Sequence, residues 1–558
     1  MIRWIGAASF LLLLLLAPVQ MTAQQGTDGP QTMAQYMPPV DLFATLRTDQ
    51  AYIDQLDRVL FQITDALPDD VTGPITLTDV LNDALLPDLP LDATAILTTL
   101  IGDYAAIGID LLDALDDGVI SEDDAVIVYA VAPIQERDLL ENALRLSGIT
   151  AEAVESVEGA YTRFTFPDIP RVVALSDRLI YIVEGTTDFD PAFTPSLADM
   201  PGYTATLDTL TMADYSAIFY GGTGEFVREL ATDPAVQEIL AALGFDTSTL
   251  GPVASGLSIT DDGTLLVDVM QARNGRMDVL NPPVAPDFAR YIPAESEVFV
   301  HTTDINQLLT TVSGLIASIS GSTTERDIYA QFENLVAVLL GLDLQTDILP
   351  WASGDYGVFA RLSAMQTVTD PLRIGAVVEV TDLAAAQTLI DAVRDAIVRL
   401  FDDVPISESR IVVAATGASV DALIVELQDE TFGQVEVAIG AYDNVLFVAT
   451  YDMAVDLLDG GRSLLDEVAY TDATDRYLPG SGLGVFVADR APGAVIRLAF
   501  ELLDPLRLLL GREATDIIVA NAPGFFTELV RSSSVSAATT ETGDLVLRFV
   551  ISLEPTDG

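Results

Sequence analysis

The sequence predicts an α+β fold made of two tandem duplicated domains, each a mainly antiparallel sheet with helices packed on one face. Three observations carry this. First, motifs of the first half return, in order, in the second. YMPPVDLFATLRTD from Tyr36 returns as YIPAESEVFVHTTD from Tyr291, and GDYAAIGIDLL from Gly102 as GDYGVFARLS from Gly354. VALSDRLIYIVEGTTDF from Val173 returns as VAIGAYDNVLFVATYDM from Val437, and SLADMPGYTATLD from Ser196 as SLLDEVAYTDATD from Ser463. Second, short β-branched runs lie only a few residues apart, as hairpin strands do. Third, stretches with helical apolar spacing run between them. The repeat is far longer than the ~20 to 50 residues of a solenoid unit, so each copy is a domain. Tyr36/Tyr291, Pro38/Pro293 and Asp49/Asp304 lie 255 positions apart, Tyr203/Tyr470 and Phe219/Phe486 lie 267 apart, and the closing hairpins around Gly263 and Gly543 lie 280 apart. Insertions accumulating in the second copy account for the drift.

Residues 1–23 predict a signal peptide, with one positive charge at Arg3, an apolar run from Trp4 to about Val19 and small residues near Ala23. The alternative is an uncleaved N-terminal anchor, for which the run is short against a span of ~20 residues. Residues 24–35 read as a disordered leader, 36–273 as the first α+β repeat, 274–288 as a Pro/Gly-rich linker and 289–558 as the second repeat. Each repeat opens with a strand around Phe43 or Phe299, after a proline start signal. Ile53, Leu56, Leu60, Ile63 and Leu67 then recur at near-helical spacing, and Ile305 begins the equivalent helix. Gly-Asp-Tyr introduces a strand at Tyr104 or Tyr356. AVIVYAV (Ala125) and RIGAVVEV (Arg373) follow, apolar and β-branched as buried strands are. Thr381 and Asp382 start the helix LAAAQTLIDAVRDAIVRLF, and PIQERDLLENALRL takes its place in the first repeat. TRFTFP (Thr162), RVVALS (Arg171) and LIYIVEG (Leu179) match ALIVEL (Ala422), QVEVAIG (Gln434) and VLFVATY (Val445), with tight turns at Ser176-Asp177 and Asp443-Asn444. A strand at Ala217 or Gly484, a helix and a hairpin turning at Asp262-Gly263 or Thr542-Gly543 close each repeat.

Composition narrows the function. With 50% hydrophobic residues and a mean hydropathy of +0.38, the 558-residue chain has ample material for a core despite its charge. The formal net charge of −58 repels nucleic acid and anionic membrane surfaces, leaving protein partners, divalent cations or an apolar ligand. The acidity has two readings: a functional polyanionic surface, or adaptation of a whole proteome to salt.

Missing residues exclude whole chemistries. All 26 basic residues are arginine, so Schiff-base chemistry, the P-loop lysine and Ser-Lys dyads are ruled out. The absence of cysteine removes thiol nucleophiles, thiolate metal sites and disulfides. The single histidine, His301, lies in the extended run VFVHTTD, and on the 255 offset its counterpart is Leu46. A position that is leucine in one copy reads as a half-buried strand position rather than a base or ligand. No G-x-S-x-G nucleophile elbow accompanies it. Paired carboxylates could run hydrolysis, but only if one sits in an apolar pocket, which sequence does not reveal. No catalytic residue and no cofactor is predicted.

Two motifs invite a site reading. DALDDGVISEDD offers Asp113, Asp117 and Asp124 as metal candidates. Leu115 at position three and Asp124 in place of the bidentate Glu break the EF-hand pattern, so a surface hairpin is the competing reading. Gly-Asp-Tyr recurs in both copies, pointing to Asp103, Tyr104, Asp355 and Tyr356, and a turn followed by a strand tyrosine explains it equally well.

Taken together, YIPAESEVFVHTTD, LPWASGDYGVFARL from Leu349, VVEVTDLAAAQTLIDAV and SLLDEVAYTDATDRYLPGSGLGVFVAD resemble a family of exported bacterial proteins classified only as a domain of unknown function. Its members open a domain with Leu/Tyr-x-Pro-Ala-Asp/Glu-Ser/Thr. The resemblance covers most of the second copy and, more weakly, the first, where Pro39 and Val40 replace the small and acidic residues. It implies no activity and no site residues. The expected function is therefore a secreted or cell-envelope, non-enzymatic protein with a binding, scaffolding or surface role. The alternatives are a carrier of an apolar ligand held between sheet and helices, and a carboxylate-dependent hydrolase.

Overall fold

A computed structural model describes residues 30–553, except 66–100, 111–125, 222–249, 274–282, 304–327, 363–372, 492–528 and stretches of one to four residues, mostly in turns. A 3-10 turn at Pro30–Tyr36 leads to strand β1 (Leu42–Arg47) and helix α1 (Gln50–Asp65). Next come β2 (Tyr104–Asp110), β3 (Ile127–Pro133), α2 (Arg137–Leu146), β4 (Thr150–Ser156), β5 (Gly159–Thr165), β6 (Arg171–Leu175) and β7 (Leu179–Glu184). Helix α3 (Pro201–Leu207), β8 (Ala217–Gly221), β9 (Leu250–Ile259) and β10 (Leu265–Arg273) complete the first half. The second half runs from a 3-10 turn at Pro286–Tyr291 through β11 (Val298–Thr302), α4 (Ile328–Leu340), β12 (Tyr356–Ala360), β13 (Ile374–Glu379), α5 (Leu383–Leu400) and β14 (Ile406–Val412). It continues with β15 (Ser419–Asp429), β16 (Gly433–Tyr442), β17 (Val445–Thr450), α6 (Tyr451–Leu458), α7 (Val468–Thr474), β18 (Leu483–Ala488), β19 (Val530–Thr539) and β20 (Leu545–Leu553).

Among the described residues, twenty strands form one sheet, and every pairing is antiparallel. The first half is ordered β4-β5-β6-β7-β3-β2-β1-β8-β9-β10. The same scheme recurs as β14-β15-β16-β17-β13-β12-β11-β18-β19-β20, and the halves meet edge to edge at β10–β20.

Local chemistry sets the elements. Asp382 caps α5, its Oδ1 accepting from Ala384 N at 2.9 Å and Ala385 N at 3.1 Å. The β16–β17 hairpin turns on two residues, with Asp443 at φ 54, a left-handed conformation that aspartate tolerates better than most residues. Ser196 and Ser463 each open a one-turn helix in the same way, the backbone N–H and the hydroxyl of each donating to Oδ2 of Asp199 and Asp466.

The structure corrects the sequence expectation in four places. Helices pack on both faces of the sheet, not one. On β15, Ala422 and Ile424 join a core with Met453 and Leu458 of α6, whereas the alternate residues Leu423 and Val425 pack with Ile390 of α5. The described ends of the leader and linker, residues 30–35 and 286–288, lie in 3-10 turns that enter the core, and residues 24–29 and 274–282 lie outside the described residues. Met33, Ala34 and Met37 are buried at one, Phe288 and Ala289 at the other, so their Pro and polar content misleads. Two strands, β4 and β14, lie outside the runs that the sequence pattern predicts. Each pairs on one side only among the described residues, and TAEAVES and ISESRIV carry the polar and charged residues of edges.

The fourth correction concerns register. Thr45 pairs with Ile218 and His301 with Gly484, while Ile218 faces Gly256 and Gly484 faces Ser536, which lie 280 apart like the hairpins. Thr45, not Leu46, therefore holds the place of His301, and Tyr220, not Phe219, that of Phe486. The rings agree. Tyr203–Tyr220 and Tyr470–Phe486 are both edge-on, at 5.0 and 5.3 Å, and Phe43 and Phe299 close the two clusters. A one-residue slip in a strand exchanges its faces, so an offset valid at Tyr36/Tyr291 fails further along the same segment.

Candidate functional site

β11 turns His301 into the core between two glycines, Gly357 and Gly484, which are its cross-strand neighbours. Aromatic rings fill the space they leave. Phe288 and Phe299 stack on the imidazole at 5.1 and 5.5 Å, and Tyr477 lies so close over Gly484 that a Cβ there would sit 2.6 Å from the ring. Nε2 is 2.7 Å from Asp355 Oδ1, which also accepts from Ala285 N at 3.2 Å. An ionised carboxylate only accepts, so Nε2 carries the proton. With 2% of its surface exposed, His301 is enclosed as a structural donor. Burial raises the Tyr470 and Tyr477 phenols well above their ordinary range, and the nearby Asp287 and Asp355 add to this at Tyr470.

The Gly-Asp-Tyr motif thus divides. Asp355 partners His301, and the Tyr356 hydroxyl donates to Ala352 O, while in the first half Asp103 is exposed and Tyr104 half-buried. Thr45, in the place of His301, keeps a buried Oγ1 with no hydrogen-bond partner. The metal candidates Asp113, Asp117 and Asp124 lie outside the described residues. Among the described residues, no group of three or more His, Asp or Glu is placed to hold a metal ion. No described helix is long and apolar enough to cross a membrane.

A second buried constellation sits where the halves join. Asp268 of β10 and Arg548 of β20 are direct cross-strand partners. Arg548 Nε donates to Asp268 Oδ1 at 2.6 Å and its Nη2 to Oδ2 at 2.7 Å, a two-bond fork. The Tyr215 hydroxyl donates to Oδ2 at 2.6 Å and accepts from Met212 N at 3.0 Å; Arg548 Nη1 reaches Arg476 O at 3.3 Å. Asp268 has no exposed surface. Burial, then the charge of Asp268, drives the Tyr215 phenol far above its usual range. Burial opposes the charge on Arg548, but its bonds to Asp268 outweigh that and raise its pKa. Gly256 lets the Tyr215 ring in, since a Cβ there would lie 2.3 Å from it. Sequence reasoning missed these residues. The signal available was one lone charge in each of two matching apolar strands, LLVDVMQ and LVLRFVI, at the offset of 280.

The surface carries a cleft of about 330 Å³ lined by Arg373, Gln434, Val435, Glu436, Thr450, Tyr451 and Asp452. Its lining is mostly polar, which is not the apolar chamber that an apolar-ligand carrier requires.

Residues 192–397 match a family described as "Protein of unknown function (DUF3352)". The matched segment runs from before α3 into α5, so it spans the junction of the halves and includes Asp268, His301 and Asp355. No curated protein matches. Among solved structures, crystal form IV of the protein TP0453 is similar at 8% identity over 44% of this chain and 80% of that one, with a TM-score of 0.25.

Proposed function

We propose that this is an exported, non-enzymatic protein in which two related α+β units are fused into one continuous sheet that serves as a binding scaffold at the cell envelope. The observation that carries the reading is the β10–β20 seam. Ten strands pair in the same scheme on either side of it, and the charged residues most deeply buried at and near it are engaged in internal bonds. Asp268 and Arg548 hold the seam, and His301 and Asp355 hold the second unit; all four are buried and bonded internally, and none of them lines the cleft at Arg373 and Glu436. A catalytic carboxylate would need the opposite arrangement, with an apolar pocket open to substrate. The acidic surface favours basic or neutral partners and opposes anionic lipid.

Fractionation of the native host cells, with mass determination of the isolated chain, tests the reading. A chain outside the cytoplasm that begins near residue 24 and migrates in an assembly larger than a monomer is expected. A full-length chain in the cytoplasm would overturn it.

A further inference from the structure

The β10–β20 ladder pairs Leu265 with Ile551 and Gln271 with Leu545, so it is symmetric about the Asp268–Arg548 pair. Those two residues also hold matching places in their own hairpins, Asp268 opposite Gly256 and Arg548 opposite Ser536, 280 positions on. The local two-fold relating the hairpins therefore passes through this one pair. Pairing of β10 with a second β10 in this register would bury Asp268 against Asp268. Pairing of β20 with a second β20 would bury Arg548 against Arg548. Either leaves like charges unpaired at a site with almost no solvent, which costs far more than a matched pair. Only β10 against β20 satisfies both.

We infer that the β10 edge is an interaction surface whose complementary partner is a β20 edge, supplied by the same chain or, when that is mismatched, by a second copy of the chain exchanging halves. The charge at the two-fold is the recognition element, as charge complementarity and symmetry together dictate. The inference rests on the two-unit reading above.

Three full-chain variants test it. Asp268→Arg places two arginines at the seam, Arg548→Asp two aspartates, and the double variant D268R/R548D restores one of each. Each single variant, unfolded in denaturant and refolded alone, is expected to lose the soluble monomer. The two refolded together in equal amounts are expected to yield a one-to-one heterodimer by native mass spectrometry. In it the arginine introduced on β10 of one chain meets the aspartate introduced on β20 of the other, and the native Asp268 and Arg548 that remain meet across chains. The double variant is expected to return a monomer. Single variants that refold to monomers with the parent's thermal midpoint would overturn the recognition role. A double variant as unstable as the singles would overturn the two-unit reading itself. Rescue by the double variant without a heterodimer would overturn exchange with a second copy alone.

Discussion

Replacing Asp355 by alanine isolates what the buried histidine needs. The carboxylate accepts from His301 Nε2 at 2.7 Å and from Ala285 N at 3.2 Å, and its removal strands the buried His301 donor, 2% exposed, together with the half-buried Ala285 N–H. An unsatisfied buried donor costs roughly 1–3 kcal/mol, so the pair should cost about 2–5 kcal/mol after partial relaxation. At roughly 2–4 °C per kcal/mol for a unit of this size, the midpoint should fall by about 4–20 °C. Thr45 supplies the internal control. Its Oγ1 is buried without a partner, so Thr45→Val should raise the midpoint, the relief of an orphan hydroxyl being worth about 1–3 kcal/mol. Scanning calorimetry of residues 24–558 at neutral pH, where the transitions of the two halves can be resolved or seen to merge, is the assay. An Asp355→Ala midpoint within about 1 °C of the parent, or a Thr45→Val variant less stable than the parent, would refute the reasoning that distinguishes the two positions.

Three further outcomes are expected. Gly375→Ala should destabilise by about 1–3 kcal/mol, because its Cβ would lie 2.3 Å from the Phe359 ring in a filled core; a midpoint equal to the parent's in thermal unfolding would contradict the packing. Burial raises the Tyr203, Tyr215, Tyr470 and Tyr477 phenols above the ordinary 10.0, so the folded state holds protons that the unfolded state releases above that pH. The contribution of these tyrosines to stability should then be constant below pH 10.0 and decline above it, and phenolate absorbance from these rings should emerge only as the chain unfolds; full tyrosine titration before unfolding would disprove it. Replacing Glu408 and Arg410 on β14 with valine should leave an apolar, weakly guarded sheet edge, and light scattering should detect association that the parent lacks.

Much of this fold was legible because periodicity and turns are local. RVVALS and LIYIVEG carried the β6–β7 hairpin, and Thr381-Asp382 announced α5 before any partner was known. The rest depended on partners far along the chain. Edge strands β4 and β14 lack apolar alternation because nothing covers one side of their ladder among the described residues. The expectation of a single helical face failed because β6 and β15 are buried on both faces, which reads in sequence as the same apolar run. The run VFVHTTD marks His301 as a strand position, but a buried one rather than half-buried, and the 255 offset points to Leu46 where the pairing with Gly484 points to Thr45. Asp268 and Arg548 stayed invisible since a lone charge in an apolar strand acquires meaning only beside its partner.

The position of β20 carries a consequence for biosynthesis. Among the described strands it comes last, at Leu545–Leu553, yet it lies at the centre of the sheet against β10, which ends at Arg273. A chain emerging from its N-terminus completes the first half with the outer edge of β10 unpaired and must keep that edge from other chains until β20 has been made. The last of the described strands is the one that closes the middle, so a substitution that prevents β20 from pairing removes the keystone of the described sheet rather than a peripheral strand.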